Sequence, residues 1–152
     1  MKFYIATDHA GLDLKNYTVD LLVVKGHEVI DLGPYDKERV DYPDFAVALC
    51  KAVLADETGA HGILICGSGI GMSMTANRIA GIRAALCHDA YTATMARAHN
   101  NANVLCFGER VVGPGVAESM VDAWIATDFE GGRHAGRVEK IEAVGGCSAA
   151  SL

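Results

Sequence analysis

HGILICGSGIG, residues 61–71, sets an apolar run of six against a turn with three alternating glycines. The run 61–66 is apolar almost without a break, where a half-exposed strand would alternate. Strands of that kind belong to parallel sheets covered by helices on both faces. The glycines lead into a helical stretch over about 72–80, and the rest of the chain repeats the pattern. Residues 2–7, 27–32, 82–87 and 103–107 read as further strands. Between them, 12–25 closes on Gly26, 44–56 begins behind Pro43, and 89–99 and 114–127 complete the helices, with glycine stops and early prolines where helices favour them. The pattern predicts an α/β fold: a three-layer α/β/α, Rossmann-like, doubly wound sheet of five parallel strands. It forms a single domain over 1–144, ending in an amphipathic stretch at 136–144, and leaves 145–152 as a frayed tail.

Composition narrows the function. At 152 residues the chain is long enough for one full core. Thirteen Lys and Arg against nineteen Asp and Glu give a net charge of −6, which excludes the basic face of a general nucleic-acid binder. With 51% hydrophobic and 21% charged residues, disorder is excluded too. Five cysteines without a CxxC pair argue against a disulfide framework or zinc knuckle and for a reducing, cytoplasmic setting. Asp8 and His9 interrupt any signal-peptide core, and no run approaches the ~18 apolar residues of a membrane span. Glycine stands out at 17 residues, about 11% against an average near 7%.

In open parallel sheets ligands bind beyond the carboxyl ends of the strands, so the residues there matter most. Gly67, Ser68, Gly69, Ile70 and Gly71 follow Cys66 as a turn whose backbone N–H groups can approach an anion. The turn has neither the lysine of a nucleotide phosphate loop nor dinucleotide-fingerprint spacing; alone it is equally a tight connection. Cys66 adds chemistry, because a thiol near a helix N-terminus yields thiolate more readily. Asp8 and His9 follow the first strand, where they serve either as a substrate contact or as a helix cap. His99 and Asn100 end a helix, as an acid/base pair or as a stop signal. Arg133 and Arg137, four apart, and Arg110 beyond the last strand suit a phosphate, or else a solvated surface. Cys50, Cys87 and Cys106 read as core filler or carry no signal, and His27, His61, His88 and His134 show no partner.

Together, DHAG at 8–11, DYPD at 41–44, CGSGIGMSMTANRIAGIRAAL from Cys66, HNNAN from His99, GERVVG from Gly108 and EGGRHAGR from Glu130 resemble the ribose-5-phosphate isomerase B family. The likeness runs in order from residue 2 to about 144. It implies interconversion of an aldose phosphate and its ketose through a cis-enediolate, with no metal and no cofactor. His99 then matches the ring-opening acid/base and Cys66 the base that moves a proton between C2 and C1. In another branch of that family a glutamate follows the last glycine of the turn; here that position is Met72. Ser68 matches a hydroxyl position, the amides of 67–71 an enediolate cradle, and Asn100 and Asp8 sugar contacts. His9, Arg110, Arg133 and Arg137 match phosphate contacts. The resemblance further implies a homodimer or dimer of dimers, with Asp8, His9 and Cys66 of one subunit meeting His99 and the arginines of the other.

Ribose 5-phosphate is the expected substrate; allose 6-phosphate, galactose 6-phosphate or a tetrose phosphate is the alternative. Two other classes compete. A Cys66/His99 hydrolase predicts a trapped acyl-enzyme, and a flavodoxin-like module predicts bound flavin or nucleotide.

Overall fold

The computed structural model describes residues 1–144; the expected tail, Cys147 included, lies outside the described residues. Strands β1 (Lys2–Thr7), β2 (Glu28–Asp31), β3 (His61–Cys66), β4 (Ala84–Leu86) and β5 (Val104–Gly108) form one parallel sheet in the order β2-β1-β3-β5-β4. The helices are α1 (Leu12–Val24), α2 (Tyr42–Ala55), α3 (Ile70–Ala76), α4 (Ala90–Asn100), α5 (Pro114–Ala126) and α6 (Ala135–Ala143). This is the expected doubly wound, three-layer sheet in a single domain.

Alternate strand residues feed two cores. Phe3, Ile5, Ile63, Ile65, Leu105 and Phe107 pack with α1, α4 and α5, whereas Ala6, Leu64, Cys66, Val104 and Cys106 pack with α2 and α3. Each large apolar side chain so buried contributes roughly 1.5–3 kcal/mol. The inner strands β3 and β5 are almost wholly buried and the edge strands β2 and β4 only partly. That difference is why the inner strands read so plainly as apolar runs. Lys15 is fully buried, yet its Nζ reaches Asp31 Oδ2 at 2.7 Å and the Pro34 carbonyl at 2.9 Å. A charge in a core is tolerated only when paired in this way, and the pair ties α1 to the connection after β2.

One boundary differs from expectation. The helix after the glycine turn spans Ile70–Ala76 rather than about 72–80. Gly69 is left-handed, φ 79°, and starts the helix at once. Asn77 ends it, its side chain bonding the N–H and carbonyl of Ala84 at 2.9 and 2.8 Å. Ile79 and Ile82 extend the apolar pattern because they are buried in the turn that follows, not because the helix continues.

His61, at the start of β3, accepts the Trp124 Nε1–H at Nδ1 over 3.1 Å. Burial, then the nearby Arg97, lowers its pKa to about 4. The unfolded chain therefore binds this proton more readily than the folded one. Stability is complete above the ordinary histidine value and declines as pH falls from about 6.5 towards 4, by about 3 kcal/mol in full. We expect His61→Gln, which keeps an acceptor for Trp124, to lose less stability than wild type in urea unfolding over that interval. An identical pH slope in the variant would contradict the assignment. His27 and His134 are shifted in the same direction and add to the slope.

The strand order positions the site. The chain steps from β1 outward to β2, then crosses back to β3 on the other side of β1. The carboxyl ends of β1 and β3 thus flank the crevice where open α/β sheets bind ligands.

Candidate active site

Thr7 pairs with Ile65, so Asp8 and Cys66 emerge side by side. They open on a cleft of about 580 Å³ whose walls also include His9, Ser68, Tyr42 and Arg110. Asp8 is buried and caps the short 3-10 turn His9–Gly11, accepting the Ala10 N–H at 2.9 Å. The capping reading of Asp8 holds, and the residue, with Oδ1 so occupied, still lines the cleft. His9 accepts the Val40 N–H at Nδ1 over 3.4 Å, which fixes the ring against the loop before α2.

The glycine turn is shaped by backbone contact. A Cβ on Gly69 would lie 2.7 Å from the Phe107 carbonyl carbon, and one on Gly108 2.4 Å from that of Ser68. Only glycines let β5 and the turn touch. Held there, the turn aims the Gly69 N–H at Cys66 Sγ, 3.0 Å away, while the Ile70 N–H donates to Ser68 Oγ at 3.3 Å. Of the five amides expected to cradle an enediolate, those of Gly69 and Ile70 thus point at the site's own side chains. The Arg110 N–H donates to the Gly67 carbonyl at 3.0 Å, and its guanidinium lies against Gly67.

The other described cysteines lack such a donor. Burial pushes the Cys50 thiol up to about 12 and Cys87 to about 11, and holds Cys106 well above its ordinary value. All four are free thiols. Met72 is fully buried under α2 and supplies no group to the cleft.

The remaining expected residues lie elsewhere. α4 runs back from the carboxyl edge of the sheet, so His99 and Asn100 sit at its amino edge, just before β5. The register Gly62↔Val104 to Cys66↔Gly108 separates the two edges by four residue steps, about 13 Å along the strands. Cys66 and His99 therefore form no dyad within one chain. His99 gathers with Glu130 and His134, and the exposed Arg133 and Arg137 flank that group. Asn100 lines a separate cavity of about 180 Å³ with Arg83, Asn77 and Ile141. Arg110 is the arginine that departs from expectation, because it lies beside Cys66 of its own chain. It follows β5, so it shares the carboxyl edge.

Sequence reasoning missed Tyr42 on the cleft wall and the Glu130–His134 pair. Tyr42 lay in a quoted motif without a role; Glu130 and His134 stand four apart in a segment read only for its arginines.

A family model described as Ribose/Galactose Isomerase matches residues 3–141. The chain belongs to this family. It is 49% identical over 143 residues to ribose-5-phosphate isomerase B of Escherichia coli (strain K12), covering 94% of this chain and 95% of that one. Over 139 residues it is 48% identical to D-erythrulose-4-phosphate isomerase of Pectobacterium atrosepticum, covering 90% of each. The solved structure of Clostridium thermocellum ribose-5-phosphate isomerase B superposes with a TM-score of 0.92 at 49% identity, covering 95% of this chain and 97% of that one. Among the described residues, no helix is long and apolar enough to cross a membrane.

Proposed function

We propose that this protein interconverts ribose 5-phosphate and ribulose 5-phosphate by proton transfer through a cis-enediolate. The observation that carries the reading is Cys66 Sγ, held at 3.0 Å by the Gly69 N–H on the wall of a cleft that also presents Asp8, Ser68 and Arg110. That N–H fixes the position of the sulfur that acts as the base. The thiolate takes the proton from C2 of the open-chain aldose and returns it at C1, while negative charge moves onto the carbonyl oxygen. Free amides of the turn and Ser68 face that charge, a role worth about 2.7–4 kcal/mol per donor. Asp8 binds sugar hydroxyls, and His9 and Arg110 take the phosphate. The reading calls on no metal or cofactor and belongs to a cytoplasmic enzyme.

His99 opens the sugar ring, and with Asn100, Arg133 and Arg137 it comes from a second copy of the chain. Three observations support this. His99 and Cys66 sit at opposite edges of one sheet. Tyr42, Ile70, Met74 and Val111 leave large apolar surfaces exposed around the cleft, a pattern typical of protein contact. α6, which bears Arg137, buries no residue in its own chain. A homodimer, or a dimer of dimers, brings the halves together.

Complementation tests both claims. Cys66→Ala and His99→Ala should each be nearly inactive alone, yet regain ribose 5-phosphate turnover after mixed refolding, since a hybrid dimer holds one intact site. No recovery in a verified hybrid would overturn the shared site. A tetrose phosphate is the second reading, favoured by the erythrulose-4-phosphate relative; a higher kcat/KM on that substrate than on ribose 5-phosphate would establish it instead.

A further inference from the structure

The segment from Glu130 to His134 carries more than Arg133. The rings of His99 and His134 stack in parallel, 9° apart in plane, with centroids 4.1 Å apart. Both Nε2 atoms face one carboxylate, Glu130 Oε2, at 3.8 Å from His99 and 3.5 Å from His134. The backbone holds this arrangement. The Glu130 N–H donates to the Ala98 carbonyl at 3.0 Å, and left-handed Gly131 and Gly132 turn the chain so that His134 returns onto α4. His134 is buried, whereas the His99 side chain remains 37% exposed and available to a ligand.

Two imidazoles and a carboxylate with ligand atoms within 4.8 Å of one another also suggest a metal site. The stack argues against it. In-plane lone pairs of parallel rings run side by side, so an ion in the plane of one ring lies off the lone pair of the other. Arg133 Nε also donates to His134 Nε2 at 3.4 Å, which places a cation where the metal would sit.

The groups facing His99 are thus Glu130 and His134, with Arg133 and Arg137 around His134. Burial, then His99 and Arg133, holds His134 below the ordinary histidine range. We propose that Glu130 and His134 are positioning residues for ring opening: the stacked ring fixes the plane of His99, and the carboxylate stabilises the imidazolium that His99 becomes. This rests on the reading of His99 as the ring-opening group. In that step the C1–O4 bond breaks, the His99 imidazole takes the anomeric O1–H proton, and the imidazolium so formed delivers that proton to O4. The O1–H electron pair becomes the C1 carbonyl, and no net charge is created.

The test uses an asymmetry of the substrates. Ribulose 5-phosphate cannot form a furanose, because the C5 oxygen that would close on C2 carries the phosphate. Its conversion to open-chain aldose bypasses ring opening. Glu130→Gln and His134→Ala are expected to lower kcat on ribose 5-phosphate about tenfold or more. Consumption of ribulose 5-phosphate should stay within about twofold of wild type. His134→Phe, which restores a flat ring to the stack, should recover most of the forward rate. Equal losses in both directions would indicate a structural or phosphate-binding role and overturn the proposal, as would wild-type rates in both. His99→Ala separates the two levels: if it also slows both directions equally, the ring-opening reading itself fails. If only His99→Ala shows the directional loss, the assignment of Glu130 and His134 alone is wrong.

Discussion

Cys66→Ala is expected to lower kcat on ribose 5-phosphate about a thousandfold, within the range for loss of a positioned general base, with the fold intact. The thiol is the group in the cleft that accepts the Gly69 N–H. The other described cysteines are buried and shifted towards the neutral form, so none replaces it. Removing one sulfur leaves a small void beside the open cleft and costs about 1 kcal/mol. Cys66→Ser should be almost as inactive, because a hydroxyl remains protonated where a thiol ionises. Circular dichroism and thermal unfolding alongside the kinetics separate chemistry from folding. A Cys66→Ala enzyme with more than a tenth of wild-type activity would contradict the role given to the thiol.

A second large effect is expected at a residue that carries no functional group of its own. Gly108→Ala adds one methyl, yet that carbon would lie 2.4 Å from the Ser68 carbonyl carbon and 2.5 Å from its Cα. Both are backbone atoms and cannot swing aside as a side-chain tip would. The turn must move away from β5, taking the Gly69 N–H from Cys66 Sγ and the Ser68 hydroxyl from its place. A misplacement of about 1 Å at a reacting centre can cost on the order of 100-fold, and overpacking costs about 1–3 kcal/mol of stability. We expect kcat/KM to fall at least about 100-fold, with a lowered Tm. Gly113→Ala is the control, since a Cβ there meets nothing within 4 Å. Wild-type activity in Gly108→Ala would mean that the close approach of β5 and the turn is not required.

What the sequence made legible follows from what burial leaves in it. β1 and β3 match their apolar runs at 2–7 and 61–66 residue for residue. The edge strands came out shorter than 27–32 and 82–87; Ile82 and Cys87 are buried yet lie outside the register of β4 with β5, so the apolar run overstates the strand. The order β2-β1-β3-β5-β4 left no trace in composition, since any buried parallel strand suits any neighbour. Cys66 was legible because cysteine, glycines and strand end coincide in one short stretch. His99 was legible mainly through the family resemblance, as it lies before a strand and at the other edge from Cys66. Its partners were not. Glu130 reaches His99 through a backbone bond to Ala98 and two left-handed glycines, a path with no periodicity to read. His134, without a visible partner in the sequence, is among the best-packed polar residues of the chain. Arg110 shows the converse: its distance in sequence from Cys66 concealed that β3 and β5 are neighbours.

If a side chain of this protein carries a proton between C2 and C1 of a sugar phosphate, solvent deuterium reads that transfer out. Wild-type protein incubated with ribose 5-phosphate in D2O should form ribulose 5-phosphate with deuterium at C1, and recovered ribose 5-phosphate should gain deuterium at C2, both observed by NMR. No turnover of ribose 5-phosphate, or turnover and deuterium entry undiminished in Cys66→Ala, would contradict this mechanism.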